Sequence, residues 1–508
     1  VVIQSDKTIV IGGGFSALPQ ADAAHALLNA GPAAEGALVR LSPDGQQIRS
    51  ITRLGAVVDD LDLDPIDDAI VAVGDFGLAK LSSDGSTVLW QKPLADLTDP
   101  DADLAGGDAA LFGNGRRVAT GADGTVAAQF HEWYFIFDRE GTEKSRRLIA
   151  REDKNKDANP HGVGGYSHRV EDVAIDSDHR LVFLAGFSQR APDFQSAYLV
   201  AFSYAETGED GRDRKVWSDY NWWNTAAQDT GLTADTRGVR VSMGRDGRLY
   251  FTGYADGGNN IFTRHPGDLS LKADNVAIDR FNNGAGAGPG KFAYFMAADP
   301  ATGDPHAGQF QYSSAGVNDA RSFTIYAVTG DETGSVLIGG QSADAMPDRS
   351  ELKINSTPVG QRVPDENSFM RLSPDLAERR VVACWTGTES PGTSRITALD
   401  SAYGLTAVIG ETQGKVVTVA PLDGTKNGAT DLFYSVWGET ATSFLPGDVD
   451  CSRRIDVADL IDILNILAGG PPNDNGCDPL NGDLNGNDRL DLGDAVGVLR
   501  MAARGGTD

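Results

Sequence analysis

The chain has 508 residues, 40% of them hydrophobic, and a formal net charge of −28. That length exceeds one ordinary core, so a large body of one architecture with a smaller module is expected. The charge excludes nucleic acid and an anionic membrane surface as partners, since both would repel it, and no run approaches the ~18 apolar residues of a membrane-inserted span.

The chain opens on Val1-Val2-Ile3-Gln4-Ser5-Asp6, a strand entering a turn. With no Met in front of it, a processed or truncated form is expected, whose export signal lies outside these residues. Short β-like runs broken by Gly, Asp and Asn then fill roughly four-fifths of the sequence, with almost no helical periodicity.

One pattern recurs: an apolar strand, an Asp/Gly turn, a second apolar strand ending in Gly, and a third strand after a variable loop. Val1 to Gln4, Thr8 to Gly13 and Ala37 to Gly45 make the first copy, and Ala69 to Gly74, Leu78 to Gly85 and Thr87 to Gln91 the second. A third begins near Ala109 and carries Trp133 to Phe137. The fourth has Val170 to Ile175, Leu181 to Gly186 and Tyr198 to Phe202; the fifth has Val239 to Val241, Asp246 to Gly253 and Phe292 to Met296. Phe323 to Val328, Ser335 to Gly340 and Phe369 to Asp375 make the sixth, and Ile396 to Leu399, Leu405 to Gly410 and Leu432 to Trp437 the last.

Seven copies at a period of roughly 45 to 75 residues predict an all-β, seven-bladed β-propeller. Radial repetition lets each sheet bury both faces against its neighbours. A β-helix or paired sandwiches are the alternatives; hairpin turns between successive strands count against the first, and the long period against the second. The predicted boundaries are 1–440 for the propeller, 441–446 for a linker and 447–508 for the module. The run Gln4 to Phe15, followed by Leu38 to Gly45, resembles short propeller-like repeats of secreted bacterial proteins; this implies a fold and no activity.

Long insertions between strands are where function would be grafted. Asp153, Asn155, Asp157 and Asn159 alternate as a possible third metal loop, although position 12 is Gly164, and an Asx-rich surface turn accounts for them as well. Trp217, Tyr220, Trp222 and Trp223 form the densest aromatic cluster, a possible platform for polysaccharide, weighed against packing on the next blade. His161, Tyr166, His168, Glu171 and Asp172 lie close in sequence and could line a blade edge or the channel mouth, but fix no acid–base pair. No HExxH or GxSxG motif is present. With no catalytic constellation, a non-catalytic body is expected.

After the linker the pattern changes. Asp448 to Asp459 and Asp483 to Asp494 each place oxygen side chains at positions 1, 3, 5, 9 and 12 of an EF-hand-type calcium loop, with position 7 offering a carbonyl. Val457, Leu460, Ile461, Leu464 and Leu467 predict an amphipathic helix after the first loop, and Leu492, Ala495, Val496, Leu499 and Ala502 repeat it after the second. Cys451 and Cys477 flank the first unit and read as a disulfide, which would imply an oxidising, extracellular compartment; two free thiols are the alternative. Cys384 reads as a small buried hydrophobe on a strand.

These tandem loop-helix repeats, with Asp rather than Glu at position 12 (Asp459 and Asp494), resemble the dockerin family. The resemblance implies two calcium ions. Site one would use Asp448, Asp450, Ser452, the Arg454 carbonyl, Asp456 and Asp459; site two would use Asp483, Asn485, Asn487, the Arg489 carbonyl, Asp491 and Asp494. It implies a cohesin-like partner, with a neighbouring subunit of the same protein as the other candidate. Two departures stand out. Position 6, normally Gly, is Arg453 and Asp488, and positions 10 and 11, usually polar, are Val457-Ala458 and Leu492-Gly493. The expected function is a secreted propeller attached to an extracellular or cell-surface structure. The alternatives are a carbohydrate-active or glycan-binding protein carried by a dockerin, and a self-assembling surface-layer or filament subunit.

Overall fold

The computed structural model describes residues 1–15, 23–26, 36–97, 116–131, 133–149, 167–190, 194–209, 211–220, 236–256, 264–265, 268–272, 291–313, 323–342, 351–354, 357–361, 367–374, 379–387, 395–412, 416–418 and 431–438, and in the tail 449, 457–468, 495–496 and 498–499. The chain divides into two compact units, Val1–Val436 and Trp437–Asp508.

The first unit is a seven-bladed β-propeller. Blade 1 runs Val2–Ile3, Ile9–Gly14, Gly36–Leu41 and Ile48–Arg53, with Ala23–Ala26 parallel to its outermost strand. Blade 2 is Val58–Asp64, Ala69–Gly74, Gly77–Leu81 and Val88–Lys92; blade 3 is Arg116–Thr120, Val126–Phe130, Trp133–Phe137 and Glu143–Leu148. Blade 4 is Ser167–Asp176, Leu181–Arg190, Phe194–Thr207 and Asp213–Tyr220. Blade 5 is Thr236–Met243, Leu249–Asp256, Lys291–Ala298 and Pro305–Ser313, extended by the hairpin Glu351–Ile354/Thr357–Gln361. Blade 6 is Phe323–Gly330, Val336–Ser342, Asn367–Leu372 and Arg379–Gly387, joined by Val416–Thr418; blade 7 is Arg395–Ala402, Leu405–Thr412 and Asp431–Gly438.

The turn chemistry works as the sequence indicates. Gly45, Gly85 and Gly124 take φ of 70°, 72° and 79°, a region open to Gly at little cost. The preceding Asp carboxylates accept N–H groups two residues on: Gln46 to Asp44 at 3.0 Å, Ser86 to Asp84 at 2.9 Å and Thr125 to Asp123 at 2.9 Å. Bonds from Ser82 and from the Ser86 N–H and hydroxyl bring Asp84 down to a pKa of about 2.

Apolar residues of successive blades interleave. Val71 and Val73 of blade 2 pack with Phe130 and Phe135 of blade 3, and Phe183 and Leu199 of blade 4 with Phe251 and Met296 of blade 5. The ring closes in the same way, because Ile3, Ile9 and Ile11 of blade 1 share a cluster with Ala402, Ala407 and Ile409 of blade 7. Tyr434 also donates to the Gly45 carbonyl at 2.7 Å across that seam.

A second repeat is invisible at the level of strand counting. Five inner strands carry a β-bulge at the same place, between Val58 and Asp60, Val170 and Asp172, Gly238 and Arg240, Ile325 and Ala327, and Ile396 and Ala398. Across from the bulge stands the Gly that ends the apolar run of the second strand: Gly74, Gly186, Gly253, Gly340 or Gly410. At Gly74, Gly186 and Gly253 an added Cβ would run into the carbonyl oxygens of Val57, Arg169 and Arg237. The recurrent Gly therefore makes room for bulged backbone.

In the second unit the helix Val457–Leu467 forms as expected, and Ala495, Val496, Val498 and Leu499 are helical. Which face it buries differs from the expectation. Val449, Ile463, Ala495 and Val498 make the core, with Leu460 and Ile466 packed against it. Ile461, Leu464 and Leu467 are exposed, as are Val496 and Leu499. Both helices are apolar on two sides, so the i, i+3, i+4 pattern marked helix without marking which stripe turns inward.

Candidate functional site

All seven inner strands contribute to the wall of a central cavity of about 980 Å³. The bulges decide what faces it, since a bulge re-aims the residue that follows. In blades 2, 4 and 5 that residue is Asp60, Asp172 or Arg240, and all three line the lumen with Asp62, Arg117 and Asp400.

An innermost strand is an edge whose outward N–H groups need partners. The carboxylates supply them from one blade to the next. Asp60 accepts from Val118 N–H at 3.0 Å and Asp62 from Thr120 N–H at 2.7 Å, fastening blade 2 to blade 3. Asp172 accepts from Val241 N–H at 3.0 Å, fastening blade 4 to blade 5, and Asp400 from Ile3 N–H at 2.8 Å, fastening blade 7 to blade 1. Between blades 5 and 6 the polarity reverses: Arg240 Nε donates to the Tyr326 carbonyl at 3.1 Å and Ser242 Oγ to that of Val328 at 2.7 Å.

These acids sit in an unusual electrostatic setting. Burial pushes Asp62 up to about 7 against the pull of the Leu63 and Thr120 N–H groups, and the Asp400 and Asp60 charges add to it. Burial pushes Asp172 up to about 6, with Arg240 and Arg117 opposing the rise. Asp62 is ringed by protein yet half-buried by exposed area, because its surroundings open on the lumen, where water softens the effect. Glu171, the bulged residue beside Asp172, is also raised by burial and pairs with Arg169 at 2.7 Å.

Charges also enter the seams behind the channel. Lys80 Nζ lies 2.5 Å and Arg139 Nε 2.6 Å from Asp64 Oδ2, and the Lys80 and Asp64 side chains are 2% and 0% exposed. Between blades 3 and 4 the buried Arg147 donates to the Asp213 carbonyl, while Tyr134 and Ser145 hydroxyls donate to the Asp213 carboxylate at 2.9 and 2.8 Å.

Of the residues singled out by sequence, Glu171 and Asp172 are placed on or beside the channel wall, and His168 on the inner strand Ser167–Asp176; His161 and Tyr166 lie outside the described residues. Trp217 packs its ring on Phe183 and donates Nε1–H to the Pro300 carbonyl at 3.0 Å, which joins blades 4 and 5. That is the packing role weighed against a glycan platform. Tyr220 ends the strand Asp213–Tyr220, and Trp222 and Trp223 lie outside the described residues, as do Asp153, Asn155, Asp157 and Asn159. In the tail, Asp459 falls in the first turn of the helix Val457–Leu467. Asp448, Asp450, Ser452, Arg454, Asp456, Asp483, Asn485, Asn487, Arg489, Asp491, Asp494, Cys451 and Cys477 lie outside the described residues. Cys384 is on the strand Arg379–Gly387, opposite Ser368. Among the described residues no group of three or more His, Cys, Asp and Glu is placed to hold a metal.

Sequence reading missed Arg117, Arg240 and Asp400 on the channel wall, and with them the acids of one strand: Asp60 and Asp62 on the wall and Asp64 in the seam behind it. Their strand, Val58–Asp64, is more than half acidic and does not read as an apolar run. The usable signal was alternation of period two, Leu61 and Leu63 between Asp60, Asp62 and Asp64.

No protein-family profile matches the sequence, and no curated protein does. The chain is similar in structure to BamB from Moraxella catarrhalis, at 12% identity over 82% of this chain and 83% of that one, with a TM-score of 0.34. It is similar to quinohemoprotein alcohol dehydrogenase from Comamonas testosteroni at 10% identity over 69% and 70%, TM-score 0.34, and to a nidogen/laminin complex at 10% identity over 73% and 91%, TM-score 0.30. Agreement at that level attaches no ligand or activity to this chain.

Proposed function

We propose that the chain is a non-catalytic propeller held in an extracellular assembly by its tail, a calcium-stapled docking module of dockerin-like type whose partner is a cohesin-like domain. One observation supports it most. Ile461 and Leu464 are 59% and 44% exposed, and Val496 and Leu499, thirty-five residues further on, are 46% and 48% exposed. The two calcium-type loops are offset by the same thirty-five residues. Both repeats therefore keep an apolar pair in water at matching helix positions, while Ile463 and Val498 fill the core. Duplicated apolar surface of this kind suits a protein interface. The loops favour calcium on donor chemistry, since hard carboxylate and amide oxygens at EF-hand spacing suit that ion.

On the propeller side, the carboxylates at Asp60, Asp62, Asp172 and Asp400 are engaged in fastening blades. That use fits a building block better than an active site. The test is to mix the full chain with a panel of cohesin domains in calcium and in EGTA. A complex that forms in calcium, and is lost in EGTA and in Asp459→Ala plus Asp494→Ala, is expected. Calcium-driven polymerisation of the chain alone would assign the tail to a neighbouring subunit instead. Binding indifferent to both chelation and the double substitution would sink the proposal.

A further inference from the structure

The lumen holds cationic donors that its own acceptors do not use. Asp62 takes N–H groups of Leu63 and Thr120, at 2.8 and 2.7 Å, and Asp400 those of Ser401 and Ile3, both at 2.8 Å. Asp60 and Asp172 each take one from the next blade. Arg117 and Arg240, from blades 3 and 5, line the same cavity. The Nε of Arg117 is buried and makes no hydrogen bond among the described residues; Asp172 Oδ1 stands 3.6 Å away, beyond hydrogen-bond reach. Its Nη1 reaches only the carbonyls of Arg116 and Asp59, at 3.2 and 3.5 Å. Arg240 uses Nε and Nη1 on the carbonyls of Tyr326 and Val239, at 3.1 and 2.9 Å, which leaves Nη2 without a bond from a described residue. Thr120 Oγ1, on the same wall, is also buried without a partner.

A buried donor without an acceptor carries a desolvation cost, and a cationic one more so. Burial, and after it the Arg117 charge, push the Arg240 pKa down against the pull of Asp172, Asp60 and Glu171. Arg117 is raised instead, its burial outweighed by the charges of Asp60, Asp172, Glu171 and Asp59. Arg117 is ion-paired with Asp172 without a hydrogen bond from its Nε, so a planar anion hydrogen-bonded by both forked donors still has a place. A phosphate would bring more negative charge than a carboxylate to a wall of four carboxylates, and fewer hydroxyl donors than a sugar ring to satisfy them. A ligand that carries a carboxylate together with hydroxyl donors answers both needs, and about 980 Å³ is room for more than one sugar ring.

We propose that the central channel is a binding site for uronic-acid oligosaccharides, with the uronate carboxylate seated on Arg117 and Arg240 and the ring hydroxyls donating to Asp60, Asp172 and their neighbours on the wall. The site lies wholly within the propeller and does not depend on what the tail binds.

Calorimetric titration of the full chain tests it, with digalacturonate, diguluronate and a glucuronate disaccharide in one arm, neutral galactobiose in a second and inorganic phosphate in a third. Saturable binding of at least one uronide is expected, without binding of galactobiose, and weakening as salt is raised. Arg240→Gln should weaken it about tenfold or more, and Arg240→Lys by less, because Lys keeps the charge and loses the fork. Circular dichroism and melting of each variant separate lost binding from lost fold; should the Arg240 variants fail to fold, Arg117→Gln and the three wild-type arms decide. Failure of every uronide to bind would overturn the assignment. So would equal binding of galactobiose, phosphate as tight as the uronide, or uronide affinity unchanged in folded Arg→Gln variants.

Discussion

Asp400 Oδ2 accepts the backbone N–H of Ile3 at 2.8 Å, joining residues 397 positions apart and closing the ring between blade 7 and blade 1. Its other oxygen takes Ser401 N–H at 2.8 Å. Asp400→Ala should leave the N–H of the buried Ile3 unsatisfied and lower stability by about 1–3 kcal/mol. Asp400→Asn retains one acceptor and should cost less. Urea unfolding of both variants against wild type measures it, and equal midpoints for all three would show that apolar packing alone closes the ring.

Asp62 presents the opposite case, a carboxylate the fold would rather keep neutral. Its folded pKa of about 7 lies above its ordinary value of 3.8. Its contribution to stability is therefore complete at acid pH below that ordinary value and is lost as pH rises through about 7. Asp62→Asn should accordingly be more stable than wild type at pH 8 to 9, with the advantage shrinking as pH falls toward 5. Thermal melts across that range would show it; an advantage independent of pH would mean that Asp62 stays ionised throughout.

Asp64, paired with Lys80, titrates in the reverse direction. Burial would raise Asp64, but hydrogen bonds from Lys80 and Arg139 overcome that and hold it below the usual carboxylate value. Its stabilising effect is present above that usual value and is lost as pH falls through the depressed one. Lys80→Met strands a buried carboxylate and should cost about 3 kcal/mol near neutrality, with Arg139 limiting the loss. The deficit should narrow as pH falls below the usual carboxylate value of 3.8, as followed by denaturant midpoints at pH 7 and at about pH 2.5.

Two glycines separate close approach from turn geometry. Gly186→Ala drives a methyl into the Arg169 carbonyl beneath the bulge and should cost about 1–3 kcal/mol. Gly211 has φ of 78° and nothing within 4 Å of an added Cβ, so Gly211→Ala meets only backbone strain, about 1 kcal/mol. Melting temperatures of the two variants should rank in that order.

In the tail, Ile463→Ala removes a core side chain and should destabilise the module by about 2–5 kcal/mol, read as faster hydrogen exchange over Val457–Leu467 in the full chain. Ile461→Ser with Val496→Ser touches only exposed positions. Exchange should stay at the wild-type rate, while binding to a cohesin domain is lost. Retained binding would move the docking face elsewhere on the module.

The propeller was legible because its strands are apolar, its turns use Asp-Gly chemistry with a local cause, and both repeat along the chain. Blade 2 shows the limit. Val58–Asp64 was passed over because an inner strand is paired on one side only, so its acids can be satisfied by the next blade rather than by water. The tail shows another: Leu460, Ile461, Ile463 and Leu464 are all apolar, and periodicity alone does not choose the pair that turns inward.

By itself the sequence determined the repeated strand pattern, the turn positions, the recurrent Gly and the offset of the two calcium-type loops, since each rests on residues near one another in the chain. Tertiary structure alone decided that this Gly clears a bulged strand, that the bulges turn Asp60, Asp172 and Arg240 into one lumen, and that Asp400 reaches Ile3. Those relationships join residues tens to hundreds of positions apart, and they exist only once seven sheets are closed into a ring.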